Sequence, residues 1–141
     1  MMKKSSIIKI VIMAIILVLA VMIISSFVRG FQEPVVFMDG NELIIKTSYG
    51  VTLNKSEINS VRLIDVIPPL TRGDGFGFGN TQKGQVSVSS LGEGLAYVKV
   101  PGPPYILLEL NGGSGNYVFL NLHNADDTRV LFENIQAWLR R

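Results

Sequence analysis

The sequence predicts a mainly β, α+β domain that follows an N-terminal transmembrane helix. Three observations support this fold class: one uninterrupted apolar stretch near the N-terminus, a series of short strand-like segments separated by turn residues, and helical periodicity at the C-terminus. We divide the chain into a basic cytoplasmic segment at 1–9, a transmembrane helix at 10–28, a linker at 29–34 and a domain at 35–141.

The apolar stretch runs from Ile10 to Val28 and contains no charged residue. A helix of that length is roughly 28 Å long at about 1.5 Å per residue, close to the ~30 Å hydrocarbon core of a bilayer. A helix also satisfies its own backbone hydrogen bonds, as lipid requires. The stretch therefore predicts an uncleaved single-pass anchor. A cleaved signal peptide ending near Gly30 and a buried helix of a soluble protein remain as alternatives.

Basic residues flank this helix unequally. Lys3, Lys4 and Lys9 precede it, whereas Arg29 alone follows it closely. Because cytoplasmic flanks carry an excess of lysine and arginine, we expect the N-terminus in the cytoplasm. The expected localisation is the cell membrane, with the domain on the extracytoplasmic side.

The charge of the whole chain differs from the charge of the domain. The formal net charge is +2, but the three N-terminal lysines and Arg29 account for four of the 13 basic residues, which leaves nine against 11 acidic residues. A protein that binds polyanions is expected to carry a basic patch. The sequence of the domain shows no such patch, so nucleic acid is not an expected partner. The sequence contains no cysteine, which excludes disulfides, thiolate nucleophiles and cysteine metal sites.

Short apolar segments bounded by glycine, proline and asparagine predict about seven strands in the domain. After a brief apolar run at 35–38, these segments lie at 43–47, 51–53, 61–66, 86–89, 96–100, 105–110 and 117–122. The stretch at 70–83 lacks an apolar pattern and contains four alternating glycines, so it is predicted to be a long irregular loop.

The C-terminal segment is predicted to form a helix over 125–140 that packs on the sheet. Asn124 is a suitable N-cap, and Asp126 and Asp127 favour the positive end of the helix. Helical spacing places four apolar residues on one face: Leu131, Ile135, Trp138 and Leu139.

Spaced residues of the domain resemble the bacterial pleckstrin-homology-like domain family over about 35–141. The resemblance is carried by Val61-x-Leu63, Ile67-Pro68, Arg72 and the glycines to Gly79, Gly84, Tyr97, Pro104-Tyr105-Ile106, Tyr117 to Leu122, and Thr128. It implies a bent, seven-stranded antiparallel sheet closed at one end by the C-terminal helix. It also implies that Trp138 is the tryptophan typical of pleckstrin-homology domains.

Members of that family that bind phosphoinositides use a basic loop between the first two strands. The corresponding turn in this chain is Ser48-Tyr49-Gly50, flanked by Lys46 and Lys55. Phosphoinositide binding is therefore not expected here, and the resemblance implies a fold without a specific ligand.

The 70–83 segment carries the candidate binding residues Arg72, Phe76 and Phe78. Long loops are often functional, and aromatic and arginine side chains are common interface anchors. Two alternatives remain: the phenylalanines cover a sheet edge, or they contact a lipid surface. The glycine spacing at 73–79 differs from that of a phosphate-binding loop, and a strand is expected to follow it, so phosphate binding is not expected.

No catalytic residue, metal site or cofactor site is predicted. His123 lies near Asp126 and Asp127, but a hydrolytic triad also needs a positioned serine and an oxyanion site. The turn at 111–116 lacks the ordered acidic ligands of a calcium loop. The remaining carboxylates are scattered over different predicted elements.

The sequence therefore predicts a single-pass, membrane-anchored, non-catalytic interaction module that binds a protein or peptide. Strand addition to an exposed sheet edge near the C-terminal helix or the 70–83 segment is the expected binding mode. The alternative is a lipid- or envelope-associated module that contacts head groups. The sequence does not indicate which partner binds or in what oligomeric state the protein exists.

Overall fold

The computed structural model describes residues 3–141, which form two compact units that meet at residues 32 and 33. The N-terminal unit is a single helix, α1, from Lys4–Phe31. This helix contains the apolar stretch at 10–28 and is long and apolar enough to cross a membrane. The prediction of a long apolar helix at the N-terminus is thus confirmed, and its length and composition suit a membrane span.

The second unit is the domain, and its described residues form nine strands, a short 3₁₀ turn and one α-helix. The strands are β1 Val35–Asp39, β2 Glu42–Lys46, β3 Val51–Asn54, β4 Ile58–Ile64, β5 Thr71–Phe78, β6 Thr81–Val88, β7 Gly92–Lys99, β8 Tyr105–Leu110 and β9 Tyr117–Leu120. The turn is Lys55–Glu57 and the helix, α2, is Ala125–Leu139. The predicted fold class is confirmed, with nine strands in place of about seven.

The strands form two sheets. The smaller sheet has the order β1-β2-β3 and is an antiparallel meander. The larger sheet has the order β4-β8-β9-β7-β6-β5. Its neighbours are antiparallel except for β7 and β9, which run parallel because β9 inserts between β7 and β8. The expectation of a single, wholly antiparallel sheet therefore differs from the structure at this pair.

The predicted irregular loop at 70–83 was wrong, because most of this segment forms the hairpin of β5 and β6. Gly75 lies opposite Gly84, and both have positive φ angles, 145° and 116°. A side-chain carbon on Gly75 would lie 2.1 Å from the Lys83 carbonyl oxygen. The glycines thus let the two backbones approach closely where the register shifts between Arg72 and Gly75.

The two faces of the six-stranded sheet carry separate cores. On the helix-side face, Ile106 and Leu108 of β8 pack with α2 and with residues of the smaller sheet. On the opposite, loop-side face, Leu107 of the same strand packs in a second cluster. This cluster is Val86, Val88, Ala96, Val98, Tyr105, Leu107, Tyr117 and Phe119. The alternation of β-strand side chains assigns successive residues to the two cores.

Helix α2 begins and packs as the sequence predicted. The Asn124 side chain accepts hydrogen bonds from the backbone N–H groups of Asp126 and Asp127, at 2.8 and 3.3 Å. Trp138 is buried, and its indole N–H donates to the Gly40 carbonyl at 2.9 Å. This hydrogen bond ties the end of α2 to the turn between β1 and β2.

Residues 65–70 connect strands that lie at opposite edges of the six-stranded sheet. A flat sheet of this size is roughly 24 Å wide at about 4.8 Å per strand, and the connection reaches at most about 25 Å. Ile67 and Leu70 pack against the loop-side cluster. The connection therefore crosses the loop-side face, and we call it the 65–70 segment. The twist of the sheet brings the two ends of the 65–70 segment closer together than they would be on a flat sheet.

Candidate binding site at the edge strand

Strand β5 forms one edge of the six-stranded sheet. Among the described strands it pairs with β6 alone, and a turn at Gly79 joins the two. An edge strand presents a row of backbone N–H and C=O groups that can pair with another chain. The candidate binding residues of the sequence analysis therefore lie on a sheet edge.

The structure brings Phe76 and Phe78 together on one face of β5. Phe76 pairs in register with Lys83, and Phe78 pairs with Thr81. The Phe78 side chain is 55% exposed, whereas Phe76 is half-buried. The two rings therefore line the helix-side face at its outer edge.

A buried lysine continues this row toward the core. Lys83 pairs with Tyr97 of β7, and it is 3% exposed. Burial lowers the pKa of the Lys83 ammonium group. The Tyr97 hydroxyl donates to the Tyr49 carbonyl at 2.7 Å, and burial raises the Tyr97 pKa to about 12. The helix-side face thus satisfies the hydroxyl of its buried tyrosine.

Arg72 lies on the other face of β5. Its Nη1 donates to the Gly77 carbonyl at 3.2 Å. A side-chain carbon on Gly77 would lie 2.9 Å from Arg72 Nη1 and 2.9 Å from Gln82 Oε1. Because Gly77 alternates with Phe76 and Phe78 along the strand, a side chain at position 77 would point to the opposite face of the sheet. The structure therefore does not place Arg72 in one patch with the two phenylalanines.

Arg72 instead borders a cavity of about 400 Å³ on the loop-side face. The cavity lies between the 65–70 segment and the turn that joins β5 to β6. Its lining residues combine an apolar wall with polar groups: Ile67, Pro68, Pro69, Leu70, Arg72, Gly79, Asn80, Thr81, Gln82 and Val100. The Gln82 side chain is 7% exposed, and its Oε1 finds no hydrogen-bond donor among residues 3–141.

Sequence reasoning did not find Gln82. A single glutamine in a segment assigned to a loop gives no sign that it is buried, and its partners depend on strand pairing. The register of β5 and β6 places Gln82 opposite Gly77, beside Arg72. The glycine at position 77 leaves the room that both polar side chains occupy.

The other polar residues considered in the sequence analysis form hydrogen bonds within the domain. The His123 backbone N–H donates to Glu33 Oε1 at 2.6 Å. Glu109 accepts from the Ser60 hydroxyl and from Arg62 Nη2, and these two hydrogen bonds lower the pKa of its carboxyl group. Within the described part of the chain, no three histidine, aspartate or glutamate side chains lie close enough to hold a metal ion.

Comparisons of the chain with family models, with curated proteins and with solved structures found no match. The resemblance to the bacterial pleckstrin-homology-like family therefore stays a prediction.

Proposed function

We propose that this chain is a single-pass membrane protein whose domain binds an extended segment of a partner protein along β5. The N-terminus lies in the cytoplasm and the domain lies outside the cell membrane. The module is non-catalytic. The observation that carries this proposal is the position of β5 at the edge of the six-stranded sheet.

Strand addition uses the backbone groups of an edge strand for affinity and side-chain positions for selectivity. β5 has eight residues, compared with seven in β4, five in β1 and four in β3, so it is the longest edge among the described strands. The side chains of Phe76 and Phe78 share one face of β5. An added strand would place alternate side chains beside these rings, where cross-strand contacts stabilise pairing.

Helix α2 covers the sheet near its opposite edge, which is strand β4. It packs against β4 and β8, and its residues Leu131 and Ile135 belong to the same core as Ile58 of β4. Within the domain, α2 does not pack comparably on β5. This difference favours β5 over β4 as the site of strand addition.

The N-terminal helix supports the membrane part of the proposal. It is long and apolar enough to span a bilayer, and three lysines precede its apolar stretch. Protease added to intact cells is expected to remove the domain. Full protection of the domain, with digestion only after lysis, would contradict the extracytoplasmic orientation.

Strand addition can be tested with the full chain in lipid nanodiscs. Peptides are selected from a random display library, and amide hydrogen exchange is measured with and without the selected peptide. We expect slower exchange in β5 and unchanged exchange in β1, because an added strand protects outward-facing amides. Protection confined to another element would contradict the proposal.

Two exposed phenylalanines on edge strands provide a matched pair of variants. Phe78 on β5 is 55% exposed and Phe37 on β1 is 42% exposed. Phe78→Ala is expected to weaken peptide binding about tenfold, the loss of a typical interface anchor. Phe37→Ala is expected to leave binding within about twofold. Equal losses for the two variants would show that β5 is not the binding edge.

A further inference from the structure

We infer that the cavity between the 65–70 segment and the β5–β6 turn binds the C-terminal residue of a peptide, with its carboxylate, its backbone N–H and an apolar side chain. This inference rests on the proposed function and names the end of the partner segment that the domain recognises. The chemistry of three parts of the cavity leads to it.

The first part is a positive charge. Arg72 is the only charged side chain among the described residues that line the cavity. Its guanidinium group carries five N–H donors, and Nη1 donates to the Gly77 carbonyl. The remaining donors suit a carboxylate, which arginine binds with two parallel hydrogen bonds. The cavity is therefore selective for an anionic acceptor over a neutral one.

The second part is a buried acceptor. Gln82 is more than nine-tenths buried, and its Oε1 has no donor within residues 3–141. A buried acceptor without a donor destabilises the folded protein, and a ligand N–H would remove that cost. Arg72 Nη1 and Gln82 Oε1 flank the same point beside Gly77. Movement of the exposed Arg72 side chain toward a carboxylate therefore uncovers Oε1 for the adjacent N–H.

The third part is an apolar wall made by Ile67, Pro68, Leu70 and Val100. The volume of about 400 Å³ lies at the low end of the range of roughly 300–1,000 Å³ for ligand pockets. A terminal amino-acid residue carries a carboxylate, an N–H and a side chain on one carbon atom. A lipid phosphodiester offers acceptors only and leaves Gln82 Oε1 without a donor, so the peptide end fits the cavity better than the phosphodiester does.

The test uses the full chain in nanodiscs and two probes that differ in one group. N-acetyl-L-leucine carries the carboxylate, and N-acetyl-L-leucinamide carries a neutral amide in its place. We expect both to shift the NMR signals of the Gln82 side-chain amide and of Val100, with the acid binding about tenfold more tightly because a charged hydrogen bond is stronger. Equal affinity for the two probes, or no shift at these residues, would overturn the inference.

Variants separate the roles of the two polar groups. Arg72→Gln is expected to lower the affinity for the acid about tenfold, to that of the amide. Arg62→Gln is the matched control, because Arg62 is an exposed arginine on β4 that pairs with Glu109 at 2.6 Å. Gln82→Met replaces glutamine with a side chain of similar volume and is expected to lower the affinity for both probes by about threefold to tenfold. Unchanged affinity in Gln82→Met would overturn the assignment of Oε1.

A third probe tests whether the cavity binds the phosphate group of a lipid instead of a peptide carboxylate. Dimethyl phosphate, an anionic diester without hydroxyl groups, is expected to bind at least about tenfold more weakly than N-acetyl-L-leucine, because it has no donor for Gln82 Oε1. Binding as tight as that of the acid would assign the cavity to head groups and overturn the inference. If the cavity binds the acid but no peptide protects β5, the proposal of strand addition fails and this inference stands. If peptides with a blocked C-terminus add to β5 but the cavity does not bind the acid, this inference fails and strand addition stands.

Discussion

The two faces of the six-stranded sheet are covered by different kinds of structure. The helix-side face packs against α2 and the smaller sheet, and Leu108 there is completely buried. The loop-side face packs against the 65–70 segment, and Leu107 there keeps 6% exposure. An open cavity of about 400 Å³ adjoins the loop-side face. The same strands thus pack against a helix and a second sheet on one side, and against a chain segment beside a cavity on the other.

Among the described residues, the loop-side face alone holds a buried side-chain atom without a hydrogen-bond partner. On the helix-side face, the Tyr97 hydroxyl donates to the Tyr49 carbonyl at 2.7 Å. On the loop-side face, Gln82 Oε1 finds no donor among the described residues. Satisfied groups favour stability, whereas an unsatisfied acceptor leaves hydrogen-bonding capacity for a ligand. The Tyr117 hydroxyl of the loop-side face is satisfied, since it donates to the Gly92 carbonyl at 2.9 Å, so the unused capacity on that face belongs to Gln82.

Truncation of neighbouring leucines on β8 is expected to give the largest difference between the faces. Leu108→Ala should lower the free energy of unfolding by about 4 kcal/mol, and Leu107→Ala by about 2 kcal/mol. The reason is that the 65–70 segment can shift to fill space beside Leu107, whereas Leu108 is enclosed by packed elements. Urea unfolding of the full chain in mild detergent measures both values. A larger loss for Leu107→Ala would contradict the comparison.

Alkaline pH is expected to reveal the buried hydroxyl of the helix-side face. The Tyr97 pKa is raised from 10.0 to about 12, so its stabilising contribution is complete below pH 10 and is lost as the pH rises toward 12. A difference of about two pH units corresponds to at most roughly 3 kcal/mol. Tyr97→Phe should remove this part of the pH dependence and cost about 1 kcal/mol at neutral pH.

Stability is measured for both proteins by urea unfolding between pH 8 and pH 12. The wild type should lose more stability across this range than Tyr97→Phe does. Parallel profiles for the two proteins would show that the Tyr97 hydroxyl is not buried in the manner described.

Replacement of the unsatisfied glutamine is expected to give the smallest change, and one of opposite sign. Gln82→Met should raise the free energy of unfolding by about 1–2 kcal/mol, because it removes a buried acceptor that lacks a donor. Gln85→Met on the same strand is the control, since Gln85 is exposed and its replacement should change stability by less than about 0.5 kcal/mol. Thermal unfolding of the three proteins side by side checks this, and a destabilised Gln82→Met would contradict it.

The sequence predicted those parts of the fold that depend on local patterns. The apolar stretch at 10–28, the Asn124 cap and the spacing of Leu131 and Ile135 each lie within one element and are visible without tertiary contacts. The parallel pairing of β7 and β9 depends on where β9 inserts, which no local pattern specifies. The fold class was therefore predictable, and the order of the strands was not.

The candidate site shows the same limit. Arg72, Phe76 and Phe78 were chosen as candidates because their residue types are common at interfaces, but their faces depend on the register of β5. Four alternating glycines hid this strand, since glycine gives no apolar alternation. Gln82 was missed because its burial and its missing donor follow from the packing of β5 against β6.

The long crossing made by the 65–70 segment has a consequence for the order of folding. β5, β6 and β7 follow one another in the chain and pair by short hairpins, which form rapidly because little loop entropy is lost. β4 pairs with β8, and its contact between Arg62 and Glu109 joins residues 47 positions apart. We expect β5–β7 to assemble first and β4 to dock late, so the 65–70 segment closes the loop-side face at the end of folding.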